Sequence, residues 1–268
     1  LIHVHVKGYT HGPQADDLMT NPIAEAATGA MDDHRIDGRP TRFGPSYHDQ
    51  FAGTYAVIRV LSAMLDPELS DADRRIEIGL YETGLHLAAR DLAGMQLKTQ
   101  LLGRLEKEGG GEFSMPGYGS YLTSDGRWIY LLVLTDAHWA KLTRALAMPE
   151  DGDPAYARLR DRKKARDVVE AAVRDAVARY TFDEAEVRLR AEGLGFNEVM
   201  PLERVLEKPQ ARQPGKLRDL DFRGLHFEVP EFPGAHEVEA NLPPPELGEH
   251  TGVLLAELGY SGDEAAAL

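Results

Sequence analysis

The sequence predicts an α/β fold, and three features carry that prediction. The chain opens with an alternating run, Leu1-Ile2-His3-Val4-His5-Val6, which has the period of two of a half-buried strand. A helix signal follows at Asn21-Pro22-Ile23-Ala24-Glu25-Ala26-Ala27, with Asn21 as its cap and proline in its first turn. Further on, Ile76, Ile78 and Leu80 alternate as a second short strand and lead into a stretch of helix formers from Tyr81 to Glu108, ended by Gly109-Gly110-Gly111.

The elements between and beyond these follow in order. Lys7-Gly8-Tyr9-Thr10-His11-Gly12-Pro13 reads as a turn-rich loop, and the glycines and prolines between Met31 and Tyr47 as an irregular connection. Phe51, Tyr55, Ile58, Leu61 and Leu65 then recur at helical spacing, which predicts a core helix. After the three glycines the character changes. Tyr118 to Leu122 and Trp128 to Leu134 flank Asp125-Gly126, a strong hairpin signal. A helix capped by Thr135 or Asp136 sets Trp139, Leu142 and Leu146 on one face. Arg158 to Glu192 reads as a solvated helical pair broken near Tyr180, with Thr181 capping the second helix and the charge-rich run Arg158 to Arg166 facing water. A short strand after Leu194, a helical turn at Leu202 to Leu206, a hairpin around Arg223-Gly224 and a helix from Leu247 to Leu258 complete the chain.

Composition narrows the partners. With 268 residues, 43% hydrophobic and 28% charged, the chain is long enough to bury one full core, or one core and a satellite. Its 44 acidic against 30 basic residues give a formal charge of -14, which repels polyanions and argues against nucleic acid as a partner. No apolar run approaches the ~20 residues of a spanning helix, and nothing at the start reads as a signal peptide. A location in the cytoplasm and no membrane partner are therefore expected. The absence of cysteine excludes disulfides, thiolate zinc sites and a cysteine nucleophile. The opening at Leu1, directly in a strand pattern and without an initiator methionine, reads as that of a piece cut mid-domain.

Chemistry first becomes readable at His48-Asp49-Gln50-Phe51-Ala52-Gly53, at the entry of the apolar helix. Taken alone, Asp49 reads as a helix cap that accepts backbone N–H bonds.

Its context adds a second role. The strand and loop LIHVHVKGY, the helix NPIAEAATGA, the turn Asp37-Gly38-Arg39-Pro40, the hairpin from Pro116-Gly117-Tyr118 to Leu134, Asp153-Pro154-Ala155-Tyr156 and Leu247-Gly248-Glu249-His250-Thr251 stand in the order they have in one known family. The chain resembles the family III CoA-transferases, and the similarity extends over nearly its whole length. In that family an aspartate followed four residues later by glycine carries the acyl group, and Asp49 and Gly53 keep the pair.

The resemblance implies a remnant of a Rossmann-like large domain, with the nucleophile helix and a long connecting helix, in residues 1–108. It implies a small α+β domain in residues 109–230 and a return segment to the large domain in residues 231–268, the whole in an interlocked homodimer. Asp49 is then the catalytic nucleophile, moving CoA between an acyl-CoA and a carboxylic acid, with no metal and no cofactor beyond coenzyme A itself. Gly109, Gly110 and Gly111, displaced to five to seven residues before Pro116, either serve as the family's mobile glycine lid or form a C-cap and linker. His48 either tunes Asp49, or packs or faces water. Lys7 and Arg42 are candidates to meet phosphate or carboxylate groups.

The chain also departs from the pattern. The segment Asp17-Leu18-Met19-Thr20 holds neither the histidine that the similar acyl-CoA racemases use nor the lysine of the formyl-CoA transferases. Ser70-Asp71-Ala72-Asp73-Arg74 replaces a Thr-Gly-x-Gly element. An acyl-CoA racemase or isomerase, and a non-catalytic CoA-binding subunit, remain as the alternative readings.

Overall fold

The structure, a computed structural model, describes residues 1–102, 115–234 and 245–267. Strand β1 (His3–Lys7) is followed by helices α1 (Asn21–Ala27) and α2 (Ala30–Asp33), a small hairpin of β2 (Arg35–Ile36) and β3 (Arg39–Pro40), and the long helix α3 (Tyr47–Leu65). Strand β4 (Arg75–Gly79) then leads into α4 (Leu80–Leu87) and α5 (Ala89–Leu102). β1 and β4 pair in parallel, from His3 opposite Arg75 to Lys7 opposite Gly79. A parallel pair requires a crossover connection, which α1 to α3 supply. Here the expected α/β pattern is present.

Two expectations change in this half. The long helix from Tyr81 is two helices, starting already at Leu80 and interrupted at Ala88. Helix α3 is not a core helix among the described residues. Ala52 and Ala63 are buried, while Phe51, Ile58, Leu61 and Leu65 are exposed, Leu65 by 83%. Helical periodicity reports an apolar face and not what covers it. The buried cluster here is small, with Ala24, Ala52 and Leu80 backed by Met19 and Ile78.

The second half contains β5 (Gly119–Leu122), β6 (Trp128–Leu131), α6 (Asp136–Ala145), α7 (Leu159–Lys164), α8 (Arg166–Val177), α9 (Phe182–Ala191) and β7 (Phe196–Glu198). The three strands form one antiparallel sheet in the order β5-β6-β7. Gly126, at φ +80°, turns the first hairpin, as the Asp125-Gly126 pair predicts. Thr135 caps α6 by accepting from His138 N, and Thr181 closes a capping box with Glu184 on α9. Trp139 and Leu142 of α6 and its C-cap Leu146 pack with Val173 and Val177 of α8 and Leu189 of α9 in the larger core.

The expected solvated helical pair is three helices, of which α8 and α9 line a core, and the run Arg158 to Arg166 is not wholly a water-facing surface. Arg162 is 0% exposed. It donates to Tyr156 O at 2.7 Å, to Ala157 O at 3.0 Å and to Asp136 Oδ1 at 2.9 Å, and its guanidinium lies 5.2 Å from the Trp139 ring centre. Nε is buried without a partner, but a planar guanidinium whose two terminal nitrogens are met and whose face is stacked can be buried where lysine could not.

A 3₁₀ turn (Leu202–Glu207) and the hairpin β8 (Leu217–Phe222) and β9 (Leu225–Pro230) follow. Arg223 and Gly224 both have positive φ, 52° and 78°, the signature of a tight hairpin turn. The last helical region is α10 (Thr251–Glu257) and α11 (Gly262–Ala266), so it starts at Thr251 and not at Leu247. Gly248, at φ +77°, holds the chain in a turn just before it. No helix of the described residues is long and apolar enough to cross a membrane.

Candidate active site

Asp49 stands in the first turn of α3 and is exposed. The N-cap position belongs to Ser46, so the reading of Asp49 as the cap is corrected; it is the acidic residue inside the first turn. An anionic side chain there is favoured by the partial positive charge of the helix start, by about 0.3–1 kcal/mol. Gly53 lies one turn further along the same face. A β-carbon at Gly53 would meet nothing within 4 Å, so the surface beside the carboxylate is bare backbone, open to a bulky ligand.

His48, the neighbour of Asp49, points the other way and is 5% exposed. Its Nε2 lies 3.1 Å from Thr28 Oγ1, and that hydroxyl spends its one proton on Ala24 O at 2.7 Å. Nε2 must therefore carry a hydrogen and donate, leaving Nδ1 as the bare nitrogen. Nδ1 is buried without a hydrogen-bond partner, which suits a neutral ring. Burial lowers the His48 pKa below its ordinary value, and the charges of Glu25 and Asp49 oppose that shift. The His48 side chain is thus packed and does not face water.

Helix α1 forms the floor of this corner. Thr20, not Asn21, is its N-cap, and Asn21 is buried inside the first turn. The Asn21 side chain serves α3 instead, with Oδ1 accepting from His48 N at 2.9 Å. Its Nδ2 donates to Glu25 Oε1, and Glu25 Oε2 accepts from Phe43 N at 2.9 Å. Glu25 and Thr28 were not singled out by the sequence. Their signal was there: Asn21, Glu25 and Thr28 are spaced four and three apart, along one helix face.

The other candidates fall as follows. Lys7 Nζ lies 3.8 Å from Glu77 Oε1, and Arg42 Nε lies 4.0 Å from Glu25 Oε1, so both cations already have a carboxylate within the chain. Gly109, Gly110 and Gly111 lie outside the described residues. Among the described residues no group of three or more histidines and carboxylates is arranged to hold a metal ion. A shallow cavity of 450 Å³ opens beside Thr10, Tyr55, Arg59, Glu82, Thr83 and His86, and neither Asp49 nor His48 lines it.

The chain as a whole is similar to known proteins. The model of the family described as CoA-transferase family III matches residues 1–251. The chain belongs to CoA-transferase family III. It is 26% identical to the succinyl-CoA–D-citramalate CoA-transferase of Chloroflexus aurantiacus, over 100% of this chain and 68% of that protein. It is likewise 26% identical to the formyl-CoA:oxalate CoA-transferase of Shigella boydii, over 100% of this chain and 70% of that one. Crystal structures show the same fold. A Mycobacterium tuberculosis protein superposes with a TM-score of 0.77 at 22% identity, covering 94% of this chain and 68% of its own. A CAIB/BAIF family protein of Brucella suis gives 0.74 at 22%, covering 96% and 68%. The family expected from the short motifs is thus the family found.

Proposed function

We propose that this chain is a CoA-transferase that exchanges CoA between an acyl-CoA and a carboxylic acid through covalent intermediates on Asp49. One observation carries the reading: within a family match spanning residues 1–251, the Asp49 carboxylate is exposed at the start of α3 beside the bare surface of Gly53.

The chemistry balances with carboxylates and a thiolate alone. The Asp49 carboxylate attacks the thioester carbonyl, the carbon–sulfur bond breaks, and CoA leaves as thiolate from a mixed anhydride. The thiolate then attacks the aspartyl carbonyl, releasing the donor acid and forming an aspartyl-CoA thioester. An incoming carboxylate reverses the two steps and leaves as the new acyl-CoA. No cofactor beyond CoA is called for. The named relatives act on succinyl-CoA with D-citramalate and on formyl-CoA with oxalate, which supports an acyl-CoA and an acid as the substrate classes.

The division at residues 1–108, 109–230 and 231–268, the interlocked homodimer and the cytoplasmic location remain parts of this proposal. The separation of the two hydrophobic clusters supports the first boundary, and the uncovered apolar face of α3 supports an extensive partner surface.

Intact-mass spectrometry of the full-length protein with a panel of acyl-CoAs tests the mechanism. A hydroxylamine-sensitive adduct that maps to Asp49 and is lost in Asp49→Ala is expected. Loss of an α-proton to solvent without acid exchange would point to the racemase reading instead, and CoA binding without any adduct to a binding subunit.

A further inference from the structure

We infer that Asn21 is the residue that positions Asp49, acting across from α1 as the cap that α3 does not supply for itself. This rests on the reading of Asp49 as the nucleophile. Ser46 occupies the N-cap of α3, yet its side chain makes no capping bond. The first turn of a helix leaves N–H groups without internal partners, and the His48 N–H finds its partner in Asn21 Oδ1 at 2.9 Å, 27 residues away in sequence.

The arrangement fixes the direction of the amide. Asn21 and Glu25 are 3% and 2% exposed, and the Asn21 Nδ2 donates to Glu25 Oε1. Flipping the amide would set its NH₂ against the His48 N–H and its oxygen against a carboxylate, so only one orientation satisfies every group. Glu25 in turn holds Phe43 N at 2.9 Å, in the loop that enters α3. On the far side of residue 48, the imidazole is held by Thr28 at 3.1 Å. Helix α1 therefore grips both the backbone and the side chain of the residue that precedes Asp49. With residue 48 fixed twice, the Asp49 Cα and the direction of its Cα–Cβ bond are fixed as well. A nucleophile must approach its carbonyl within a narrow range of distance and angle, and a displacement of about 1 Å costs up to a hundredfold in rate.

Three variants of the full-length protein test this against Asp49→Ala. Asn21→Ala removes the acceptor, Asn21→Leu removes it while keeping the volume, and the double variant Asn21→Asp with Glu25→Gln reverses donor and acceptor so that both hydrogen bonds re-form. The readout is the single-turnover rate of acyl-adduct formation on Asp49 together with KM for the acyl-CoA. Asn21→Ala and Asn21→Leu are expected to lose about tenfold or more in that rate with little change in KM, and the double variant to recover it. If a folded Asn21→Ala or Asn21→Leu acylates within twofold of the parent, or if the double variant folds without restoring the rate, the positioning role is refuted. An adduct that survives in Asp49→Ala overturns the nucleophile reading itself, whatever the Asn21 variants do.

Discussion

Gly84 of α4 faces His48 of α3 so closely that a β-carbon at position 84 would lie 2.5 Å from His48 Nε2. It would also meet His48 Cδ2 and Thr28 Cγ2, each at 2.7 Å. The backbone of α4 thus closes the corner in which α1 holds the start of α3.

Replacing this glycine sets two effects against each other. Alanine is the better helix former by about 1 kcal/mol, but forcing a methyl into a packed site costs about 1–3 kcal/mol. Gly84→Ala is expected to be net destabilising and to slow acylation of Asp49. Gly94, in α5, supplies the control, since a β-carbon there meets nothing within 4 Å. Gly94→Ala is expected to be neutral to stabilising. Urea titrations followed by circular dichroism give both values, and a Gly84→Ala as stable as the parent would show that the close approach relaxes freely.

Burial of His48 makes stability depend on pH with a defined sign. Its folded pKa lies below the ordinary value, first because burial disfavours the charged ring. Between the two values the unfolded chain binds the extra proton, so the contribution is fully present above the ordinary histidine pKa and is lost as the pH falls below it. The melting temperature is expected to drop on acidification from pH 7.5 to pH 5.5, and to drop less in His48→Gln. Equal slopes in parent and variant would mean that the ring remains able to charge in the folded state.

Much of this was legible in the sequence, for reasons that specific residues illustrate. Asp125-Gly126, Arg223-Gly224 and the Thr135 and Thr181 caps are local signals, and the structure repeats them because turns and caps depend on a few adjacent residues. The burial of Arg162 was hidden, since its partners Asp136 and Trp139 lie more than 20 residues away in the chain. The role of Asn21 was misread for the same reason: a cap residue looks alike whether it serves its own helix or another one. The exposure of α3 was invisible because periodicity is the same for a covered and an uncovered face.

One buried carboxylate in the second half of the chain gathers three cations. Glu198 ends β7, buried, and receives Arg127 Nε at 2.9 Å and Arg127 Nη2 at 2.8 Å, with Arg204 and Lys208 at 3.4 and 3.3 Å. The hydrogen bonds from Arg127 hold its pKa below the usual glutamate value, despite the opposing cost of burial. Glu198→Ala removes the shared partner of these cations, of which Arg127 keeps Asp183 at 2.7 Å, and is expected to cost about 1.5–3 kcal/mol for the lost charge-assisted hydrogen bonds. Trp128 and Trp139, the chain's 2 tryptophans, report this unit directly by fluorescence during denaturation. The depressed pKa adds that the contribution is present above the ordinary glutamate value and lost as the pH falls through the folded one. A loss under 1 kcal/mol would show that water solvates the freed cations.

The apolar stripe of α3 makes a prediction of a different kind, about association. Leu61 and Leu65 are 53% and 83% exposed on a helix that also presents Phe51 and Ile58, and contiguous apolar surface of this sort marks an interaction site. Exposed side chains contribute little to the stability of the chain that carries them, so Leu61→Glu and Leu65→Glu are each expected to change the unfolding free energy of residues 1–268 by less than about 0.5 kcal/mol. They are expected, however, to reduce self-association in sedimentation velocity and to lower binding of an apolar fluorescent dye. The two measurements separate the possibilities. Substitutions that unfold the chain would mean that the stripe is packed inside it after all, whereas unchanged association and dye binding would mean that the sticky surface lies elsewhere.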